Sequence, residues 1–168
     1  EHDETDMLPW IWERKYELDS LCYPIQLAYL VWKNTGRTDH FDETFVKGVR
    51  RILEVWRTEQ HHEERSPYHF VRKNCYFTDT LSRGGKGALV KSGTGLIWSG
   101  FRPSDDSYVY GYLIPSNMFA VVVLGYLAEI ANQVLGDEAL AAEAEAFRME
   151  VKEAIETLAV VKNEYYGR

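Results

Sequence analysis

Only two of the 168 residues are cysteine, Cys22 and Cys75. They stand in no CxxC-type spacing, which argues against a disulfide framework and against a zinc site of that kind. Basic residues are also scarce: 19 Lys plus Arg face 26 Asp plus Glu, for a formal net charge of -7. That balance repels a polyphosphate backbone and makes nucleic acid an unsuitable partner. No apolar run reaches the ~20 residues of a membrane span; the longest, from Met118 to Ala131, contains Glu129. No basic segment leads into an apolar stretch near the start, so neither a signal nor a membrane anchor is visible, and the cytoplasm is the favoured compartment. The first Met is residue 7, which gives the expectation of an end cut from a longer chain. Aromatic residues are the one excess, at 14% with 5 Trp and 11 Tyr; they build ligand grooves as well as core. A 45% hydrophobic and 27% charged composition is that of a folded chain with room for one domain.

Hydropathy patterning predicts four helices. Residues 20–35 are apolar on nearly every side and stop at Gly36, as a buried helix would. Residues 41–60 place Phe41, Phe45, Val49, Ile52, Leu53 and Trp56 on one stripe, an amphipathic helix. A third helix, capped by Ser116 or Asn117 and apolar almost all round, runs from Met118 to Leu135 and stops at Gly136. A fourth, amphipathic, opens at Asp137 or Glu138 and reaches about Lys162. Between them, residues 63–115 hold seven of the twelve glycines and are expected to be a long loop with short strands around Tyr68–Val71 and Leu89–Lys91. Buried helix followed by amphipathic helix, twice over, is the order an all-α double-walled ring requires, inner wall first and outer wall second. Two hairpins cannot close such a ring. A single partial domain over 1–168 is expected, with other segments of the same protein or another copy covering its open flanks. A compact helical bundle is the alternative on periodicity alone.

The densest chemical cluster is Thr94-Gly-Leu-Ile-Trp-Ser-Gly-Phe-Arg-Pro-Ser-Asp-Asp106. Trp98 and Phe101 offer stacking faces, Arg102 is a fork donor, and Asp105 and Asp106 are adjacent carboxylates. Paired carboxyls in different environments supply a proton donor beside an ionised partner; a tight turn in which Ser104 and the aspartates bond backbone amides is the competing reading. In the ring arrangement both inner helices start at the same mouth, which gathers Glu17 and Asp19 with Arg102, Asp105 and Asp106; Asp19 can equally serve as a helix cap. His61-His62-Glu63-Glu64 with His69 lacks HExxH-like spacing and reads as a solvated helix end rather than a metal site. Gly84-Gly-Lys-Gly87 lacks the pattern of a phosphate loop and reads as a mobile loop.

Three long words carry a resemblance: Tyr16-Glu-Leu-Asp-Ser-Leu-Cys-Tyr-Pro-Ile-Gln-Leu-Ala-Tyr29, Ser66-Pro-Tyr-His-Phe70, and Thr94 to Asp106 followed by Tyr112-Leu-Ile-Pro-Ser-Asn-Met-Phe-Ala120. They resemble glycoside hydrolase family 125. The resemblance implies an (α/α)6 barrel and a metal-independent, cofactor-free, inverting exo-α-1,6-mannosidase acting on mannose-containing oligosaccharides or N-glycans. It places the general acid on the Arg102–Asp106 motif, at Asp105 or Asp106, and the general base on a glutamate beyond the matching residues. Trp98, Phe101 and Tyr112 are then expected to face the sugar, and Arg102, Ser104, Glu17 and Asp19 to bond its hydroxyls. With half of the acid and base pair missing, the isolated chain is expected to be inactive. A non-catalytic all-α module that binds a protein or glycan is the alternative.

Overall fold

The computed structural model describes residue 3 and residues 7–167. A short 3-10 turn over Asp19–Leu21 leads into α1, Cys22–Thr35, which ends where Gly36 takes a φ of 73°, a left-handed conformation that glycine adopts without a Cβ penalty. Helix α2, Glu43–Glu59, starts on the Asp42 carboxylate, which accepts from the Phe45 amide at 2.9 Å. One further turn, α3, covers His62–Arg65. Helix α4, Ile114–Ile130, runs on into a π-helical turn over Ala131–Leu135. Helix α5, Glu138–Leu158, is capped by Asp137 in the same way as α2, at 2.9 Å from the Leu140 amide.

The two apolar helices lie side by side and parallel. Tyr23 meets Phe119 edge to face, Tyr29 stacks on Tyr126 at 4.0 Å, and Lys33 pairs with Glu129, three contacts in nearly constant register. The two amphipathic helices are parallel as well. Arg50 reaches Asp137 at the start of α5, and Arg57 reaches Glu150 two-thirds of the way along it, lying 3.7 Å over the Phe147 ring. Helices α4 and α5 pack antiparallel, and Gly125 lets Arg148 approach: a Cβ there would sit 3.3 Å from its Nε. One core joins all four, from Cys22 and Ile25 through Val49, Leu53 and Trp56 to Val123, Leu127, Leu140, Phe147 and Val151. The result is an all-α portion of an (α/α)6 barrel with α1 and α4 on the inner wall and α2 and α5 on the outer.

Helix α1 is covered on one side only, as the open flanks expected of a partial ring require: Cys22, Ile25 and Ala28 are buried, whereas Tyr23, Leu27 and Leu30 are exposed, as are Met118 and Val122 of α4. Other expectations need correction. Helix α5 stops at Leu158, short of Lys162. Neither Tyr68–Val71 nor Leu89–Lys91 is a strand; Phe70 instead exchanges single bonds with Gly85 and Leu81. Helix α4 begins at Ile114, four residues before Met118, with Pro115 in its first turn, where a missing N–H costs nothing.

Asn117 therefore does not cap the helix. Its side chain is fully buried and bonds the loop: Oδ1 accepts from the Ile97 amide at 2.8 Å, and Nδ2 donates to the carbonyls of Ile97 at 2.9 Å and Leu113 at 3.0 Å. An amide that grips both backbone groups of one residue imitates a strand partner. Asn117→Ala strands those groups in the core and is expected to lower stability by about 2–4 kcal/mol. Chemical denaturation checks the magnitude, and hydrogen exchange at the Ile97 amide, faster in the variant, checks the cause.

Candidate active site

The site rests on a junction between an extended N-terminal segment and the aromatic loop. The Tyr16 carbonyl accepts from two amides, Gly100 at 3.2 Å and Phe101 at 3.0 Å. One residue pair further on, the buried Ser99 hydroxyl accepts from the Leu18 amide at 3.1 Å and donates to the Phe101 carbonyl at 2.8 Å. Beneath lies an aromatic cluster of Phe70, Leu81, Trp98 and Phe101. The Trp98 ring stacks on His62 at 3.6 Å and lies parallel to Tyr16 at 6.1 Å. Glycines clear the space for that indole: a Cβ on Gly87 would stand 2.7 Å from it, and one on Gly100 or Gly111 3.0 Å.

Two loop readings change as a consequence. His62 is no solvated helix end. It is fully buried, with Nδ1 2.6 Å from Glu59 Oε2 and Nε2 donating to the Lys86 carbonyl at 2.8 Å. Glu59 Oε1 in turn accepts from the Ser66 hydroxyl at 2.5 Å. Both ring nitrogens are thus engaged, and among the described residues no group of three His, Cys, Asp or Glu side chains is placed to hold a metal ion. The Gly84–Gly87 stretch is no loose loop either. Gly85 and Gly87 pack against Phe70 and Trp98, and Glu63 clamps the segment through a two-pronged pair with Arg83 at 2.7 and 2.8 Å and a further contact with Lys86.

Above the cluster, residues 101–107 form a tight hairpin. Phe101 bridges to Ser107, the Arg102 amide donates to the Asp106 carbonyl at 2.9 Å, and the Asp105 amide donates to the Arg102 carbonyl at 2.8 Å. Asp106 Oδ2 accepts from Arg102 Nη2 and from the Ser104 hydroxyl, both at 2.9 Å. Asp105 sits at the tip with a φ of 69° and a largely exposed side chain, a conformation that Asp tolerates better than most residues. Lys15 comes up beneath it, 2.9 Å from Asp105 Oδ2 and 3.0 Å from Asp79 Oδ1.

Glu17 and Asp19 flank this hairpin. Burial pushes the Glu17 carboxyl above its ordinary range, the Ser20 hydroxyl at 2.6 Å opposes the shift, and the nearby charges of Asp19, Asp105 and Glu13 add to it. Asp19 is buried at the start of α1 and makes no cap bond; its Oδ1 lies 3.4 Å from the Ser116 hydroxyl at the start of α4. Both inner helices therefore open at one end, where Glu17 feels the charges of Asp19 and Asp105, while Arg102, Ser104 and Asp106 bond one another within the hairpin. Trp98 and Phe101 do not join them: expected to face the sugar, both are fully buried and support the loop from below. Tyr112 also turns away, packing on the aromatic cluster and donating to the Lys91 carbonyl at 2.8 Å. A cleft of about 760 Å³ between residues 11–16, α2 and residues 65–69 shares Lys15 with the hairpin but is lined by neither Asp105 nor Asp106. Sequence reading missed Lys15, Ser99 and the Glu59–His62 pair. Lys15 reads there as one more surface charge beside Arg14, with nothing to mark its partners 64 and 90 residues away.

Parallel inner helices and parallel outer helices define the α/α-barrel class of fold. Within that class the chain belongs to the metal-independent alpha-mannosidase family, GH125, whose model matches residues 1–168. It is similar to a Streptococcus pneumoniae metal-independent alpha mannosidase solved in a non-productive complex with alpha-1,6-mannobiose, at 50% identity and a TM-score of 0.92 over 99% of this chain and 39% of that one. It is also 31% identical to the meiotically up-regulated gene 157 protein of Schizosaccharomyces pombe, over 94% of this chain and 32% of that protein. The chain thus spans 32–39% of the length of these relatives.

The Glu63 clamp yields a pH prediction. Hydrogen bonding to Arg83, the largest influence, holds the Glu63 carboxyl down at about 2, below its ordinary 4.5. A depressed carboxylate adds stability that is complete above its unfolded value and is lost as pH falls through the folded one. The melting-temperature gap between the native chain and Glu63→Gln is expected to be constant at neutral pH and to close between about pH 4.5 and about pH 2. A gap that ignores pH in that window would show that the carboxylate charge is not what holds the loop.

Proposed function

We propose that the full-length protein is an inverting exo-α-1,6-mannosidase and that this chain supplies its general acid. The observation that carries the reading is the Arg102–Asp106 hairpin, which raises two carboxyls, Asp105 and Asp106, at the mouth shared by both inner helices. Likeness over 99% of the chain to an alpha mannosidase solved with alpha-1,6-mannobiose supports the substrate class.

Inversion requires one carboxyl to protonate the departing glycosidic oxygen and another to activate water on the opposite face of the sugar, the two lying about 6.5–9.5 Å apart. Asp105 and Asp106 each spend one oxygen on an ion pair, with Lys15 and with Arg102, which leaves a second oxygen to carry the proton. Both stand as candidates for the acid. Arg102, Ser104 and Glu17 are the candidates to bond the sugar's hydroxyls, and Asp19, buried in this chain, is the weaker one. The base is a glutamate contributed by another part of the full-length protein, so the 168-residue chain alone does not turn substrate over.

In the full-length protein, the Asp→Asn variant at the true acid is expected to lose about 10²–10⁴-fold in rate on α-1,6-mannobiose. The other variant loses less, and a chelator changes neither. Mannose release followed by a coupled assay decides the matter; full activity in both Asp105→Asn and Asp106→Asn contradicts the reading.

A further inference from the structure

We propose that Lys15 is the positioning residue of the acid hairpin, a role that rests on the mannosidase reading above. Its ammonium has three N–H donors, and the structure provides three acceptors: Asp79 Oδ1 at 3.0 Å, Asp105 Oδ2 at 2.9 Å and the Asp105 carbonyl at 2.9 Å. The side chain is only 2% exposed, while that of Asp105 is 58% exposed. The cation is thus the buried member of the pair and the carboxylate the presented one. The ammonium also lies 5.1 Å from the centre of the Phe101 ring, at the base of the hairpin.

Such a fixture has work to do here. Asp105 holds a φ of 69°, a left-handed conformation that a non-glycine residue keeps only when its surroundings fix it. Of the contacts made at the hairpin tip, the Asp105 amide bond to Arg102 stays within the turn. Lys15 ties Asp105, by both its side chain and its carbonyl, to another part of the chain, and it does so from the segment whose Tyr16 carbonyl anchors Gly100 and Phe101. Asp79 completes the arrangement from a third segment, which is itself joined to the hairpin where the Ser107 amide donates to the Thr78 carbonyl at 2.7 Å. Burial opposes the charge on Lys15, but the hydrogen bonds to Asp105 and Asp79 outweigh it and raise its proton affinity. Lys15 therefore keeps its charge throughout the range in which a glycosidase works. A neutral side chain of the same length fills the same space and leaves the Asp105–Asp106 tip free to wander from the glycosidic oxygen.

The test uses the leaving group. The reducing-end mannose of α-1,6-mannobiose would depart as a strongly basic alkoxide unless the acid protonates it, whereas the aglycone of 2,4-dinitrophenyl α-mannoside departs as a stable phenolate without that proton. In the full-length protein, Lys15→Met is expected to slow kcat on the mannobiose by about 10-fold or more while its rate on the aryl mannoside stays within about 3-fold of the native protein, the signature of a misplaced general acid. Lys15→Arg, which keeps the charge and suits the case in which the Met variant does not fold, is expected to show the same split in weaker form. Equal losses on both substrates, or no loss on either, would overturn the positioning role. Asp105→Asn and Asp106→Asn in the same assay separate the two levels. If one of them shows the split and neither Lys15 variant does, the Lys15 proposal fails alone; if neither aspartate variant does, the acid assignment beneath it fails.

Discussion

Two amides from the aromatic loop, those of Gly100 and Phe101, converge on the single carbonyl of Tyr16, and the mouth of the molecule is assembled from that junction. The carbonyl has two lone pairs, and both are used. The joined segments lie over 80 residues apart in the chain, with the Leu18–Ser99 bond spanning 81, so the loop's position is set by tertiary pairing and not by the helices on either side of it. From this junction Lys15 reaches up to Asp105, Glu17 flanks the hairpin, and Asp19 arrives at the start of α1 opposite Ser116. Trp98 and Phe101 form its floor, and the Glu59–His62 pair holds Trp98 from the far side of the loop through ring stacking and the Trp98 amide bond to the Glu59 carbonyl.

Helical content was legible because it is written locally. The stripe from Phe41 to Trp56, the stops at Gly36 and Gly136 and the Asp137 cap all act within one or two turns, and the inner and outer alternation followed from which helices were apolar all round. The misplaced start of α4 has one cause. Asn117 and Ser116 look like caps in sequence, but their side chains are spent on Ile97 and Asp19, partners 20 and 97 residues away. The loop was harder for the same reason. Gly87, Gly100 and Gly111 signal flexibility when read singly, whereas in the fold all three make room for one indole.

For the site, the carboxylates were legible and their setting was not. A motif of Arg, Ser and two aspartates already contains its own ion pair, Arg102 with Asp106 at 2.9 Å. It does not contain Lys15 or Asp79. The aromatic residues misled in the opposite direction: Trp98 and Phe101 sit within the same word as the aspartates, yet a tight hairpin needs a solid floor, and these side chains provide it. The carboxyl raised above its ordinary range is Glu17, by burial and by the charges of Asp19, Asp105 and Glu13, since burial and like charges favour the neutral form.

The reaction proposed for the full-length protein is a direct displacement in which this chain protonates the leaving oxygen and a base elsewhere in the protein delivers water to the opposite face. Proton NMR of the anomeric signal, recorded in the first minutes after the full-length protein meets α-1,6-mannobiose, tests it most directly. The account predicts that β-mannose appears first and α-mannose only later by mutarotation; initial release of α-mannose would contradict it.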